Sequence, residues 1–125
     1  MTEFAINYWR RACQALATAR QSAQTDPNAA ASRAYYAAFY AVTALFALRE
    51  QYFTKHAQLR AAVHRDLVNN EHMDPAFGKA FDALVALRDT GDYGGTANVF
   101  PEQADQAVEM AKMIVETVGR LCSLP

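Results

Sequence analysis

Cysteine is scarce in this 125-residue chain: Cys13 and Cys122 lie near opposite ends, with no CxxC spacing. That count fits a reducing cytoplasm rather than a disulfide scaffold. Glycine (5) and proline (4) are sparse, and neither charge sign dominates. Twelve Lys and Arg face thirteen Asp and Glu, a net charge of −1 with a pI near 6.3. A protein that coats nucleic acid or a membrane surface through bulk positive charge is thereby excluded. Arg10 and Arg11 follow the first apolar residues instead of preceding them, so no secretory signal is expected. No apolar run reaches the roughly 20 residues needed to cross a bilayer. The most apolar stretch, Ala34 to Leu48, contains three tyrosines and Thr43 and reads as a buried helix.

What the chain has in quantity is apolar surface and alanine. Apolar residues make up 52% and charged residues 20%, a globular composition. A chain of this length buries roughly two-thirds of its unfolded surface, enough for one domain over 1–125. Alanine, the best helix former, fills about a fifth of the positions. Asp26-Pro27 and Asp74-Pro75 each set an N-cap carboxylate before a proline at the first helical position, and Pro101 opens a further segment. These signals predict five helices, over about 3–24, 28–51, 56–69, 75–91 and 102–122.

Apolar stripes at helical spacing support those segments. The first helix carries Phe4, Tyr8, Ala12, Ala15, Leu16 and Ala19; the fourth carries Phe77, Ala80, Phe81, Leu84 and Leu87. The fifth stripe runs from Ala104 through Ala111, Ile114 and Val118 to Cys122. The second helix is apolar nearly all round and belongs at the centre. No segment alternates with the period of a strand. The fold class is all-α: an antiparallel bundle of four long helices plus one shorter helix.

Charge is unevenly placed along the chain. Residues 1–65 carry eight basic and three acidic groups, a net of +5, and residues 66–125 carry four and ten, a net of −6. The halves either pair with each other or leave a local basic surface for an anionic ligand. His56, His64 and His72 match no metal-binding spacing, and on one helix His56 and His64 would stand about 12 Å apart, too far to share an ion. His56 falls where the third helix begins, as a cap or an interhelical contact. The aromatic run Tyr35, Tyr36, Phe39, Tyr40 reads as core, with Tyr36 and Tyr40 off the main stripes and near an edge or a partner chain. The stretch Leu87-Arg88-Asp89-Thr90-Gly91-Asp92-Tyr93-Gly94-Gly95 gathers a guanidinium, carboxylates and a phenol around one turn. Arg88 there either complements the helix dipole, with Gly91 as the cap, or belongs to a site beside a glycine-rich loop.

Several pieces of the sequence resemble one family, in order. Ser32-Arg33-Ala34-Tyr35-Tyr36-Ala37-Ala38-Phe39-Tyr40 resembles the RxYYAxF second helix of small prokaryotic HEPN-domain proteins. Tyr8-Trp9 in the first helix, Thr54-Lys55-His56 (the family's K-T-H with two residues transposed), Gly78-Lys79-Ala80 and Arg88-Asp89-x-x-Asp92-Tyr93 resemble further motifs of the same family. The resemblance covers residues 4 to 122.

The resemblance implies a HEPN-like helical domain that forms a homodimer and acts in the cytoplasm. It also implies pairing with a minimal nucleotidyltransferase, as the toxin of a toxin–antitoxin couple acting on RNA or nucleotides. Neither a metal nor a cofactor is implied. Many relatives are metal-independent ribonucleases with an Arg-x4–6-His motif at a dimer cleft. Carried onto this chain, Arg88, Asp92 and Tyr93 take the catalytic positions, while Arg33, Lys55, His56 and Asp89 become RNA or nucleotide contacts. Tyr93 stands where the motif histidine belongs, and is also the residue onto which a partner enzyme would transfer nucleotides. The alternative is a non-catalytic helical module that binds a nucleotide or a protein partner through the same surface.

Overall fold

In the computed structural model, which describes residues 2–124, the chain is all-helical. Helix α1 spans Glu3–Ser22, α2 Pro27–Leu48, α3 His56–Ala62, α4 Pro75–Tyr93 and α5 Pro101–Cys122. Helix α3 continues without a break into a π-helical segment, Val63–Asn70. Four long helices and one shorter one form the bundle.

The punctuation read from the sequence acts as expected. The Asp26 carboxylate accepts the Ala29 N–H at 3.2 Å and that of Asp74 accepts the Ala76 N–H at 2.9 Å, each with proline at the first helical position. Such caps stabilise a helix by about 1 kcal/mol each. Thr2 caps α1 in the same way. At α5 the Gln103 side chain accepts the Phe100 N–H at 2.9 Å.

Helix α2 is the central element and packs against α1, α4 and α5. Its Ala30, Ala34, Ala37, Ala38 and Ala41 are fully buried and allow the close approach of its neighbours, while Tyr35, Val42 and Phe46 fill the spaces between. Burial of each such large side chain contributes about 1.5–3 kcal/mol.

Three sequence expectations are corrected. The core face of α1 is Ala5, Trp9, Ala12, Ala15, Leu16 and Ala19; Phe4 is exposed and packs on Tyr8 and Tyr52 instead. Trp9 displaces Tyr8 from the core because its ring reaches across to Gly119 of α5, where an added Cβ would stand 3.0 Å away. Helix α2 stops at Leu48, three residues early, where Glu50 takes a left-handed conformation and the Gln51 N–H turns back to the Phe46 carbonyl. Finally, α4 does not end at Gly91 but runs to Tyr93, with Gly94 as its cap. Gly91 lies against α2: a Cβ there would be 2.7 Å from the Asn28 carbonyl oxygen. The glycine is needed for close approach, not for a turn.

Candidate functional site

The longer α4 places Arg88 inside the helix, one turn before its end, facing α2. There the guanidinium is enclosed by tyrosines: its carbon lies 5.2 Å from the Tyr35 ring, 5.6 Å from Tyr36 and 5.6 Å from Tyr93. An Arg88 N–H donates to the Tyr36 hydroxyl at 3.2 Å and another to Asp89 at 3.4 Å. Asp92, one turn on, brings a carboxylate oxygen to 3.2 Å from Nε, but the N–H does not point at it and Nε stays buried without a hydrogen-bond partner. Ser32 of α2 donates to the same Asp92 oxygen at 3.4 Å, fastening the last turn of α4 to α2. Burial pulls the Arg88 pKa down, and the surrounding Tyr36, Tyr93 and Tyr35 more than offset it, so the guanidinium is held firmly cationic.

Arg88 lines a pocket of about 380 Å³ between α2, α3 and α4. His56, Arg60 and His64 line one wall, the buried Tyr35 the floor, and Val85, Arg88 and Asp89 the other wall. The His56 ring stacks on Phe39 at 4.2 Å, and its Nδ1 lies 2.9 Å from the Tyr35 hydroxyl. Burial, and then the charge of Arg88, lower the His56 pKa below the ordinary histidine value, so its ring is neutral at pH 7. Burial pushes Tyr35 up to about 12, and the phenol keeps its proton.

On the more exposed side of α3 and α4, one oxygen of Asp82 takes both Arg60 Nε at 2.7 Å and His64 Nε2 at 2.9 Å. Burial raises the Asp82 pKa, but His64 and Arg60 together outweigh it and keep the carboxylate ionised. Gly78 of α4 makes this possible, since a Cβ there would sit 2.8 Å from the His64 ring. His64 lies in the π-helical segment, and such widened turns recur where a helix re-aims a side chain.

A larger depression of about 720 Å³ lies between α4 and α5, walled by Ala83, Ala86 and Leu87 and rimmed by Asp105 and Glu109. An anionic ligand would meet carboxylates there. The convergence of Arg88, His56 and Arg60 makes the smaller pocket the candidate site. Among the described residues, no three His, Cys, Asp or Glu side chains group as metal ligands do.

Of the residues singled out in the sequence, Arg88, His56 and Asp89 meet at the pocket. Asp92 and Tyr93 flank Arg88 outside it, and Tyr93 is 73% exposed. Arg33 stacks on Tyr36 at 5.0 Å, one ring away from Arg88. Lys55 precedes His56 at the start of α3, exposed and outside the pocket lining. Sequence reasoning missed Tyr35 as a pocket residue, weighed His64 only as a metal ligand, and missed Arg60 and Asp82 altogether. The signal for two of them was available: His56, Arg60 and His64 recur every four residues and so share one helix face.

Two comparisons agree with this architecture. The chain is 31% identical over 118 residues to a UPF0332 protein of Thermotoga maritima, covering 93% of this chain and 89% of that one. The family model of the HEPN domain matches residues 6–121, which takes in nearly all of the five helices and every residue of the pocket. The chain belongs to the HEPN domain family.

Proposed function

We propose that this protein is the toxin component of a HEPN/minimal-nucleotidyltransferase pair, a cytoplasmic homodimer that cleaves RNA without a metal ion at a site around Arg88. The observation that carries the reading is the Arg88 guanidinium, held in a cage of tyrosines in the lining of a pocket that also contains a neutral histidine. A cation fixed in this way stabilises charge developing on the oxygens of a phosphodiester. The Asp89 and Asp92 carboxylates stand beside it, and a second protomer would add a second Arg88 to one cleft.

Asp92 serves here to hold Arg88 through charge and to bind Ser32, rather than to take a proton from the substrate. Arg33, stacked beside Tyr36, and Lys55, at the outer end of α3, extend the positive surface along which an RNA backbone would run. Expression of wild type and Arg88→Ala in a bacterial host tests the reading. Growth arrest by the wild type alone, with RNA cleavage by the purified protein, is expected. Harmless expression of both, with no cleavage, would sink it.

A second reading has its own observation. The Tyr93 hydroxyl group belongs to a side chain that is 73% exposed and lies over the Arg88 guanidinium rather than in the pocket. That position suits an acceptor for nucleotides transferred by a partner enzyme, or a contact in a non-catalytic binding module. Incubation with a minimal nucleotidyltransferase and labelled ATP, followed by peptide mapping, decides: label on Tyr93 supports the acceptor role, and no label with Tyr93 intact removes it.

A further inference from the structure

Cleavage of RNA by its own 2′-hydroxyl needs a proton acceptor that is unprotonated near neutral pH, beside a cation for the phosphoryl oxygens. The carboxylates near the end of α4 are tied to Arg88: Asp89, which lines the pocket, accepts from it at 3.4 Å, and Asp92 lies outside the pocket. Asp92 is drawn against Arg88 and Ser32, and Tyr93 is a phenol pointing into solvent. The pocket holds two histidines, and they differ. His64 has its Nε2 engaged by Asp82 and its ring pressed on Gly78. His56 has its ring face on Phe39 and its Nδ1 on Tyr35, and Nε2 has no hydrogen-bond partner among the described residues.

We propose that His56, positioned by Tyr35, is the proton acceptor of the Arg88 site, supplied from the start of α3 in place of a histidine downstream of Arg88. The assignment rests on the RNA-cleaving reading given above. Arg88 and His56 share two neighbours: the Tyr35 ring lies 5.2 Å from the Arg88 guanidinium and 5.8 Å from the His56 ring, and the Tyr36 ring 5.6 Å and 5.9 Å. A substrate phosphate against Arg88 therefore lies within the same pocket as His56.

The partner on Nδ1 matters. A carboxylate would hold one tautomer, but a hydroxyl both donates and accepts. Tyr35 donates to Nδ1 while the proton is on Nε2, and accepts from Nδ1–H when the lone pair is on Nε2 or the ring is cationic. Because burial keeps its own proton in place, Tyr35 orients the ring without becoming a base itself.

The step is then balanced as follows. The 2′-O–H proton passes to His56 Nε2 as the 2′-oxygen bonds to phosphorus. The bond from phosphorus to the 5′-oxygen breaks, and that oxygen takes a proton from water. The products are a 2′,3′-cyclic phosphate and a 5′-hydroxyl, and the imidazolium returns its proton to solvent. Arg88 faces the non-bridging oxygens throughout.

Several titratable or charged groups surround His56. They are Tyr35 and Tyr36 on α2, Lys55 and Arg60 on either side in sequence, His64 in the π segment, and Arg88 and Asp89 on α4. Burial and Arg88 act on it in the same direction, which sets the acid limb of the rate below pH 6.5.

The test is single-turnover cleavage of a fluorophore–quencher ribo-oligonucleotide across pH 5 to 9. The proteins compared are wild type, His56→Asn, His56→Gln and Tyr35→Phe, each checked for helicity. Loss of about 10²-fold or more in rate is expected for both His56 variants. RNA affinity should change little, the acid limb should vanish, and added imidazole should restore part of the rate. Tyr35→Phe should move the acid limb while leaving RNA affinity in place; an unmoved limb removes Tyr35 from its positioning role. Wild-type rates and an unchanged limb in both His56 variants overturn the assignment alone. No cleavage by the wild type overturns the RNA-cleaving reading, and the assignment with it.

Discussion

The hydroxyl of Tyr35 lies 2.9 Å from Nδ1 of His56, tying a fully buried side chain of the central helix to the first residue of α3. The burial of His56 beside Arg88 that accompanies this contact has consequences for stability as well as for chemistry. The His56 pKa is lowered in the folded protein relative to its ordinary 6.5, so the unfolded chain takes up the proton first. Stability is therefore full above that value, declines as the pH falls just below it, and levels off once the folded protein is protonated too. Urea midpoints measured between about pH 7 and 5 should fall for the wild type and fall less for His56→Gln. Equal slopes in the two proteins would show that His56 is not held neutral by the fold.

Two glycines of α4 face different obstacles, and their alanine variants should separate. Gly91→Ala drives a Cβ to 2.7 Å from the Asn28 backbone oxygen, which only a shift of α2 against α4 can relieve. A loss of about 1–3 kcal/mol is expected. Gly78→Ala meets the His64 ring at 2.8 Å, and a side chain can turn away, so its loss should be smaller. It should, however, break the contact of His64 with Asp82. Urea unfolding ranks the two; the reverse order would mean that α2 yields more readily than His64.

Arg88→Lys keeps the charge and loses the plane. An ammonium cannot lie flat among the rings of Tyr35, Tyr36 and Tyr93, nor donate to Tyr36 and Asp89 in a fixed fork. RNA cleavage should drop by about 100-fold or more with the helical content unchanged. Cleavage near the wild-type rate would show that only the charge of Arg88 matters.

Tyr93→Phe removes one hydroxyl from a side chain that is 73% exposed. Stability should change by no more than about 0.5 kcal/mol. Nucleotide transfer from a partner enzyme should cease, while RNA cleavage by the unmodified protein should persist. Loss of cleavage in this variant would instead place the Tyr93 hydroxyl in the reaction.

Much of the molecule was legible in one dimension, because helices are local. Asp26-Pro27, Asp74-Pro75 and Pro101 announce helix starts through backbone groups only three or four residues away. Helix ends were harder to read. Gly91 has the look of a cap in sequence, yet its role is to admit a carbonyl from residue 28, a neighbour no local pattern can supply. The same holds for Phe4 and Trp9. Both suit an apolar stripe, and the space opposite Gly119 decides which of them is buried.

The site divides along the same line. Composition, periodicity and the ordered motifs were enough for an all-α bundle, for the HEPN resemblance, and for Arg88, Asp92 and Tyr93 as neighbours on one turn, since such features depend on residues close in sequence. That the histidine beside Arg88 comes from α3, 32 positions earlier, follows from the packing of α3 and α4 over α2. Its neutral state follows from burial beside a cation. Desolvation and the proximity of charges are properties of the folded arrangement, and they turn His56 from the start of a helix into part of a pocket.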